Sequence, residues 1–253
     1  MNFSYPERVA WRIDLSPISD PLQLFGNKAG KRVRRALEIL ATQSRYRFET
    51  QDLITDHVDT FLPLYYANIH SKDNPTHYDV VGAIQRNSAR AHQQKIITLY
   101  DDHTLIGGFI YNIRPTGFYA MYKVFPLTLA ACKLPISPTY VAEYYFFKAA
   151  LEQGATIISH GVDNNLFGFH SAIGLAMFKL SLQCVPVVPM GQTLWSNSTP
   201  QFSRDLLIFT GDQSTALITD AVLVSTQDAD ILTQQYPILF QQSSIPVTIQ
   251  SPL

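Results

Sequence analysis

The sequence is poor in the residues that most often announce chemistry. It has two cysteines in 253 residues, Cys132 and Cys184, with no CxxC pair and no metal spacing. A disulfide framework and a zinc ribbon are thereby excluded, and a reducing compartment is the expectation. No GxGxxG fingerprint is present, and Gly26-Asn27-Lys28-Ala29-Gly30-Lys31-Arg32 falls one residue short of a phosphate loop, with Arg32 where the magnesium-binding hydroxyl belongs. Charge is scarce, at 15% of residues and a net of −1, which argues against a globally basic nucleic-acid binder but leaves room for a local basic patch. No stretch reaches the length of a membrane span without a charge or proline, and MNFSYPERVAWRIDL lacks the apolar region of a signal peptide. A soluble, cytoplasmic protein of open oligomeric state is expected. His160, Asp163 and His170 fit no familiar metal spacing, so no metal is expected. His57, His70, His77 and His92 lie among polar residues and carry no signal, and nothing around Cys132 points to a lowered pKa.

What is present is concentrated between Ser137 and Val188, which reads as helix, strand, polar loop, helix, strand. The polar loop follows the end of the middle strand, where open α/β sheets place ligands. Ser137-Pro138 starts the first helix, Val141, Tyr145, Phe146, Ala149 and Ala150 give it an apolar face, and Gly154 stops it. Residues 155–159 form a short buried strand. The second helix is expected to bury Ile173, Leu175, Met177, Phe178 and Leu182, leaving Lys179 on its accessible side. Val185, Val187 and Val188 make a strand whose prolines mark it as an edge.

Upstream, a short strand is expected at Val9–Leu15. An amphipathic helix follows from Asn27, with Val33, Leu37 and Leu40 inward and Lys28, Lys31, Arg32, Arg34 and Arg35 crowding its beginning, against the macrodipole. A strand at Tyr46–Glu49 leads to a helix over Leu53–Ile69, expected to break near Pro63. Another helix after Pro75 is expected to bury Tyr78, Val81 and Ile84. Lys95–Tyr100, Thr104–Ile113 and Phe118–Phe125 then form a three-stranded meander. Gly107-Gly108, inside a strand, marks a bulge or a close backbone approach. Beyond Pro189 come a polar loop over 191–204, a hairpin at Leu206–Thr210 and Ala216–Ser225, and a tail from Gln234 with little helical character. No internal repeat is visible.

This order resembles the GNAT acyltransferase fold, and within it the Fem-type aminoacyl-tRNA-dependent peptidoglycan transferases. The residues that carry the likeness are Lys31-Arg32-Val33-Arg34-Arg35-Ala36, Phe61-Leu62-Pro63-Leu64-Tyr65, Leu105-Ile106-Gly107-Gly108, Glu143 with Ala149-Ala150 and Gly154, and Gly174-Leu175-Ala176-Met177-Phe178-Lys179. The resemblance covers about Arg12 to Pro189, and the glycine that ends the last motif is replaced by Gln183-Cys184. The resemblance implies an α/β fold with a mixed central sheet flanked by helices: a GNAT-like domain over residues 1–190 with an N-terminal helical elaboration, and a C-terminal β extension over 191–253 packed on it. It further implies acyl or aminoacyl transfer to a small-molecule amine, forming an amide, at the parting of the fourth and fifth strands, Phe118–Phe125 and Ala155–Val162.

In such a site Tyr122 and His160 are the candidate proton relays, Asp163 orients the amine, and Lys179 stabilises charge. The candidate substrate-binding residues are Lys31, Arg34, Arg35, Glu143, Tyr145 and Asn165. GNAT enzymes that use acetyl-CoA cradle its pyrophosphate in a glycine-containing loop. Here the corresponding stretch reads PLTLAACKLPIS, which argues against acetyl-CoA and for an aminoacyl-tRNA or carrier-bound donor, with no further cofactor. Two alternatives remain at this point: an acyl-CoA- or acyl-carrier-protein-dependent N-acyltransferase resembling the N-acyl amino acid synthases, and a non-catalytic GNAT-like module that holds a ligand or partner.

Overall fold

The computed structural model describes residues 4–71, 78–90, 93–130, 132–191, 194–197, 204–241 and 243–251. In chain order the elements are β1 (Tyr5–Pro6), β2 (Arg8–Asp14), a 3-10 turn (Pro21–Leu24), α1 (Asn27–Ala41), β3 (Tyr46–Asp52), α2 (Thr55–His70), α3 (Val80–Ala89), β4 (Gln93–Asp101), β5 (Thr104–Arg114), β6 (Gly117–Val124) and α4 (Pro138–Glu152). There follow β7 (Ile157–Asn164), α5 (Ile173–Ser181), β8 (Val185–Val187), β9 (Trp195–Ser196), β10 (Leu206–Asp212), β11 (Leu217–Val224), α6 (Ala229–Gln235), α7 (Pro237–Gln241) and β12 (Val247–Gln250). The chain divides into two compact units, a meander unit (Asp14–Ile158) and a split unit made of the residues through Ile13 together with Ser159–Leu253.

In the meander unit, strands β3, β4, β5 and β6 pair in that order, each antiparallel to the next. Alternation along β5 builds both faces of this sheet. Ile110 joins Phe61, Tyr65 and Ile69 of α2, Val80 of α3, Ile96 and Val124 in one buried cluster. Its neighbours Phe109 and Tyr111 meet Phe146 of α4 instead, at centroid distances of 4.8 and 5.0 Å. The glycine pair lies beside a bulge and in a tight side-chain contact. The β4–β5 register shifts at Leu99/Tyr100, and a Cβ on Gly108 would stand 2.9 Å from the Phe61 ring. The turn into β6 needs Gly117 at φ +135, where an added Cβ would strike the Ile157 carbonyl.

Two helix expectations fail in this unit. Helix α2 runs through Pro63 unbroken; burial of Phe61, Tyr65 and Ile69 on one stripe outweighs the lost backbone bond. Helix α3 buries Val80 and Asn87, while Tyr78 and Val81 are 51% and 41% exposed. Asp79 sets its start by accepting from the Gly82 amide at 2.9 Å. The expected start after Pro75 lies outside the described residues, as do His77 and His92.

In the split unit, the sheet order is β7, β2, β8, with β2 and β8 antiparallel and Trp11 opposite Pro186. Strands β10 and β11 form the expected hairpin, and β12 joins β11 in parallel. Before the tail, α6 buries Leu232, and the tail from Gln234 is more ordered than its composition suggests, α7 burying Leu239. Helices this short draw their stability from packing rather than from local propensity, so the sequence gives little sign of them. Among the described residues no helix is long and apolar enough to cross a membrane.

Candidate functional site

The basic face of α1 comes directly from its spacing. Val33, Ala36 and Leu40 are buried, and Lys28, Lys31, Arg32, Arg34 and Arg35 are exposed. Arg35 meets Glu38 at 3.0 Å across two exposed side chains, a geometry that contributes little to stability. The helix has no acid in its first turn and no side-chain cap at Gly26, so nothing local offsets the cations at the positive end of the macrodipole.

On the sheet of the same unit, β6 is broken at one point. Ile110 pairs with Tyr122 but Tyr111 pairs with Ala120, leaving Met121 as an extra residue. A bulge of this kind interrupts the ladder and re-aims the side chains beside it. Tyr122 is one of those side chains. Its ring lies 5.6 Å from that of Tyr65 and 6.3 Å from that of Tyr78. Burial first, and the nearby Asp79 carboxylate next, hold its phenol pKa above the ordinary value, while Arg86 offsets part of the rise.

Glu143, a candidate for substrate binding, lies in the interior. It is fully buried in α4 and accepts from the Lys123 ammonium of β6, which also lies 4.7 Å from the Phe109 ring centre. A carboxylate enclosed in this way needs a cation beside it, and Lys123 supplies one. Tyr145 stacks on Phe48 at 5.6 Å, and burial raises its phenol pKa. Its ring is part of the packing.

In the split unit the structure brings Lys179 and Asp163 together. The Lys179 ammonium donates to Asp163 Oδ2 at 2.6 Å, Trp11 Nε1 donates to the same oxygen at 2.7 Å, and the ammonium lies 5.5 Å from the Trp11 ring centre. The accessible Lys179 expected from the sequence is therefore overturned: its side chain is only 8% exposed. Helix α5 is turned from the expected face, with Ile173, Ala176, Lys179 and Leu180 inward and Leu175 outward. Asp163 is the physical reason, because it gives an inward lysine a counter-charge.

His160 is also buried. Asn165 is fully buried, donating to the carbonyls of Pro6 and Phe209 and accepting from the Phe209 amide. Its amide clamps three backbone groups.

No family model matches the sequence, and no curated protein matches it. Among solved structures, the chain superposes on FemX with a TM-score of 0.53 over 70% of its own length and 59% of that chain, at 13% identity. The fold is GNAT-like, similar to that of FemX. Two weaker likenesses carry no further argument. One is the C-terminal domain (DUF2156) of a putative lysylphosphatidylglycerol synthetase from Agrobacterium fabrum, at TM-score 0.47, 13% identity, and 72% and 59% of the two chains. The other is a tandem GNAT protein from the clavulanic acid biosynthesis pathway, at 0.42, 11%, and 72% and 50%. The chain spans about 59% of the length of the FemX chain it matches.

In this GNAT-like fold the segment between β6 and α4 encloses a cavity of about 500 Å³ lined in part by Leu127, Leu129, Leu134 and Ile136. Cys132 is on its wall, and partial burial pushes the thiol pKa up, which disfavours a thiolate nucleophile. Among the described residues no three His, Cys, Asp or Glu side chains gather as a metal site. The sequence reading missed Lys123 and Trp11. Lys123 carried a usable signal, since a lone cation in an apolar strand and a lone acid in an apolar helix are natural partners. Trp11 carried none, being 152 residues from Asp163.

Proposed function

We propose that this protein transfers an acyl or aminoacyl group from a carrier to an amine, forming an amide. The observation that carries the reading is the broken ladder of β6 at Met121, adjoining Tyr122, in a chain with a fold similar to that of FemX. Bulges recur next to active sites because they free the backbone from its ladder. A backbone N–H released there is a donor for the oxygen of an ester carbonyl as charge develops on it. The amine lone pair attacks the carbonyl carbon, the C–N bond forms and the C–O bond to the carrier breaks. Tyr122, protonated at neutral pH, gives its proton to the leaving oxygen, and the phenolate takes one from the amine nitrogen.

The donor is polyanionic in this reading. The exposed cations of α1 suit aminoacyl-tRNA, and the segment between β6 and α4 has no glycine with which to hold a free pyrophosphate. The apolar cavity beside that segment favours a second reading, an acyl chain delivered by a carrier protein.

The test is mass-spectrometric detection of amide products after incubation with charged tRNA and an amine, with acyl carrier protein as the parallel donor. Tyr122→Phe should lose about 10²-fold in kcat with its unfolding curve unchanged. Charge reversal at Lys31, Arg34 and Arg35 should raise KM for tRNA and flatten its salt dependence. Full activity in Tyr122→Phe removes the proton-relay role. A salt-independent KM removes tRNA as donor.

A further inference from the structure

We propose that the cavity between α5 and the β10–β11 hairpin binds a free α-amino acid, held as a zwitterion between Arg204 and Asp205. The site lies wholly within the split unit and is independent of the amide-forming reading.

The hairpin builds one wall. Leu206 of β10 stands opposite Val224 of β11, so the residues just outside that pair, Asp205 and Ser225, meet at the same end. Ser225 Oγ donates to Asp205 Oδ1 at 2.6 Å. Gln227 Nε2 and the Tyr236 hydroxyl, the latter from the joint between α6 and α7, donate to Oδ2 at 3.1 and 2.7 Å. The connection from β7 to α5 is tied to the same strand, because Phe167 and Leu207 exchange backbone hydrogen bonds of 3.0 and 2.8 Å. Gly168, at φ +102, then brings bare backbone against the Asp205 carbonyl, where a Cβ would stand 2.0 Å away. These contacts hold the carboxylate and the first turn of α5 around a space of about 540 Å³, within the range of small-ligand pockets.

The lining carries two opposite charges. Arg204 is exposed and, among the described residues, forms no ion pair or hydrogen bond. Asp205 has three side-chain partners, all neutral, which orient the carboxylate without cancelling its charge. A guanidinium fork matches a ligand carboxylate in bidentate geometry, and the Asp205 carboxylate attracts an ammonium. A ligand of one sign alone would face a like charge on one wall, which penalises it. Ala172 gives α5 no side-chain cap, so the amides of Ile173 and Gly174 add donors for the ligand carboxylate. A Cβ on Gly174 would meet nothing within 4 Å, so that position stands clear. Thr226 and Gln235 contribute a hydroxyl and an amide to the remaining wall, which suits a polar side chain on the ligand.

Binding is read without an acyl donor. Protein labelled with 15N is titrated at about pH 6, where an α-amino group stays protonated. The probes are L-glutamine, 4-carbamoylbutanoate, which lacks the ammonium, and L-glutaminamide, which lacks the carboxylate. Amide resonances of Ile173, Gly174 and Gln227 report occupancy. L-Glutamine should bind with a Kd of about 1 mM or tighter, and each analogue at least fivefold more weakly. Arg204→Gln, at an exposed position, should raise the L-glutamine Kd about fivefold or more and leave that of L-glutaminamide unchanged, since only the former has a carboxylate to lose. Asp205→Asn should weaken L-glutamine similarly and leave 4-carbamoylbutanoate unchanged; if that variant loosens the hairpin, the Arg204 comparison decides alone. No saturable shift with L-glutamine overturns the site. Equal affinity for either analogue overturns the zwitterion, as does an unchanged L-glutamine Kd in Arg204→Gln. None of these outcomes bears on amide formation, and a protein that forms no amide leaves them as they are.

Discussion

Each unit keeps a lysine against a carboxylate and an aromatic ring, and the two arrangements are built in opposite senses. In the meander unit the carboxylate is the deep partner: Glu143 is fully enclosed, and the Lys123 side chain is 26% exposed. In the split unit the lysine is the deeper partner, 8% exposed against 14% for Asp163, and the carboxylate keeps a second donor in Trp11. The difference teaches which half of each pair can be removed. A buried charge left alone is far more costly than a pair removed together, and a partly exposed lysine can turn its head to water.

The largest effect is therefore expected at Lys123. Lys123→Met strands the Glu143 carboxylate and should lower unfolding free energy by about 3–5 kcal/mol. Adding Glu143→Gln to that variant should restore most of the loss. Glu143→Gln alone should cost about 1–2 kcal/mol. Denaturant titration of the three variants checks this, and equal losses from the two single changes would break the asymmetry.

The split unit should show the reverse order with a smaller gap. Asp163→Leu leaves both the Lys179 ammonium and the Trp11 N–H without their acceptor, for a loss of about 3 kcal/mol. Lys179→Met leaves Asp163 with its Trp11 bond and some access to water, for about 1–2 kcal/mol. A Lys179 variant that melts like the parent would contradict the buried geometry and return that lysine to the surface.

Alkaline pH should separate the units next. Tyr65, Tyr111, Tyr122 and Tyr145 of the meander unit all have phenol pKa values raised, chiefly by burial. The split unit holds Tyr236, raised by burial and by its bond to Asp205. Above the ordinary tyrosine value of about 10 the unfolded chain loses protons that the folded chain keeps, so stability falls as pH rises. Hydrogen exchange should show β4–β6 losing protection at lower pH than β10–β11. The opposite order would mean that tyrosine burial does not govern alkaline stability.

The smallest effect belongs to the basic face. Arg34→Ala and Arg35→Ala should leave the unfolding midpoint within about 0.5 kcal/mol of the parent. Any larger loss would show that α1 uses those cations structurally, which would weaken their assignment to donor binding.

Much of the fold was legible because it is local. The meander, the glycine pair, the start of α4 at Ser137-Pro138 and the edge strand β8 follow from alternation, turn residues and proline, which act over a few positions. At the candidate site, Lys179 stood out as a cation among apolar neighbours, Tyr122 and Asp163 followed from the likeness to the GNAT fold, and the exposed cations of α1 followed from its period. The roles of Glu143, Tyr145 and Asn165 did not, since each depends on who its neighbours are.

The sequence by itself determined the order of helices and strands from α1 to β8 and the basic face of α1, because hydrophobic periodicity is written in adjacent residues. Only the tertiary structure decided that α2 continues through Pro63, that α5 turns Lys179 inward, and that Lys123 neutralises Glu143. The physical reason is distance along the chain. Lys123 and Glu143 are 20 positions apart, Lys179 and Asp163 16, and Trp11 and Asp163 152. A charge is tolerated in the interior only when such a partner arrives, and that arrival is a property of the folded chain.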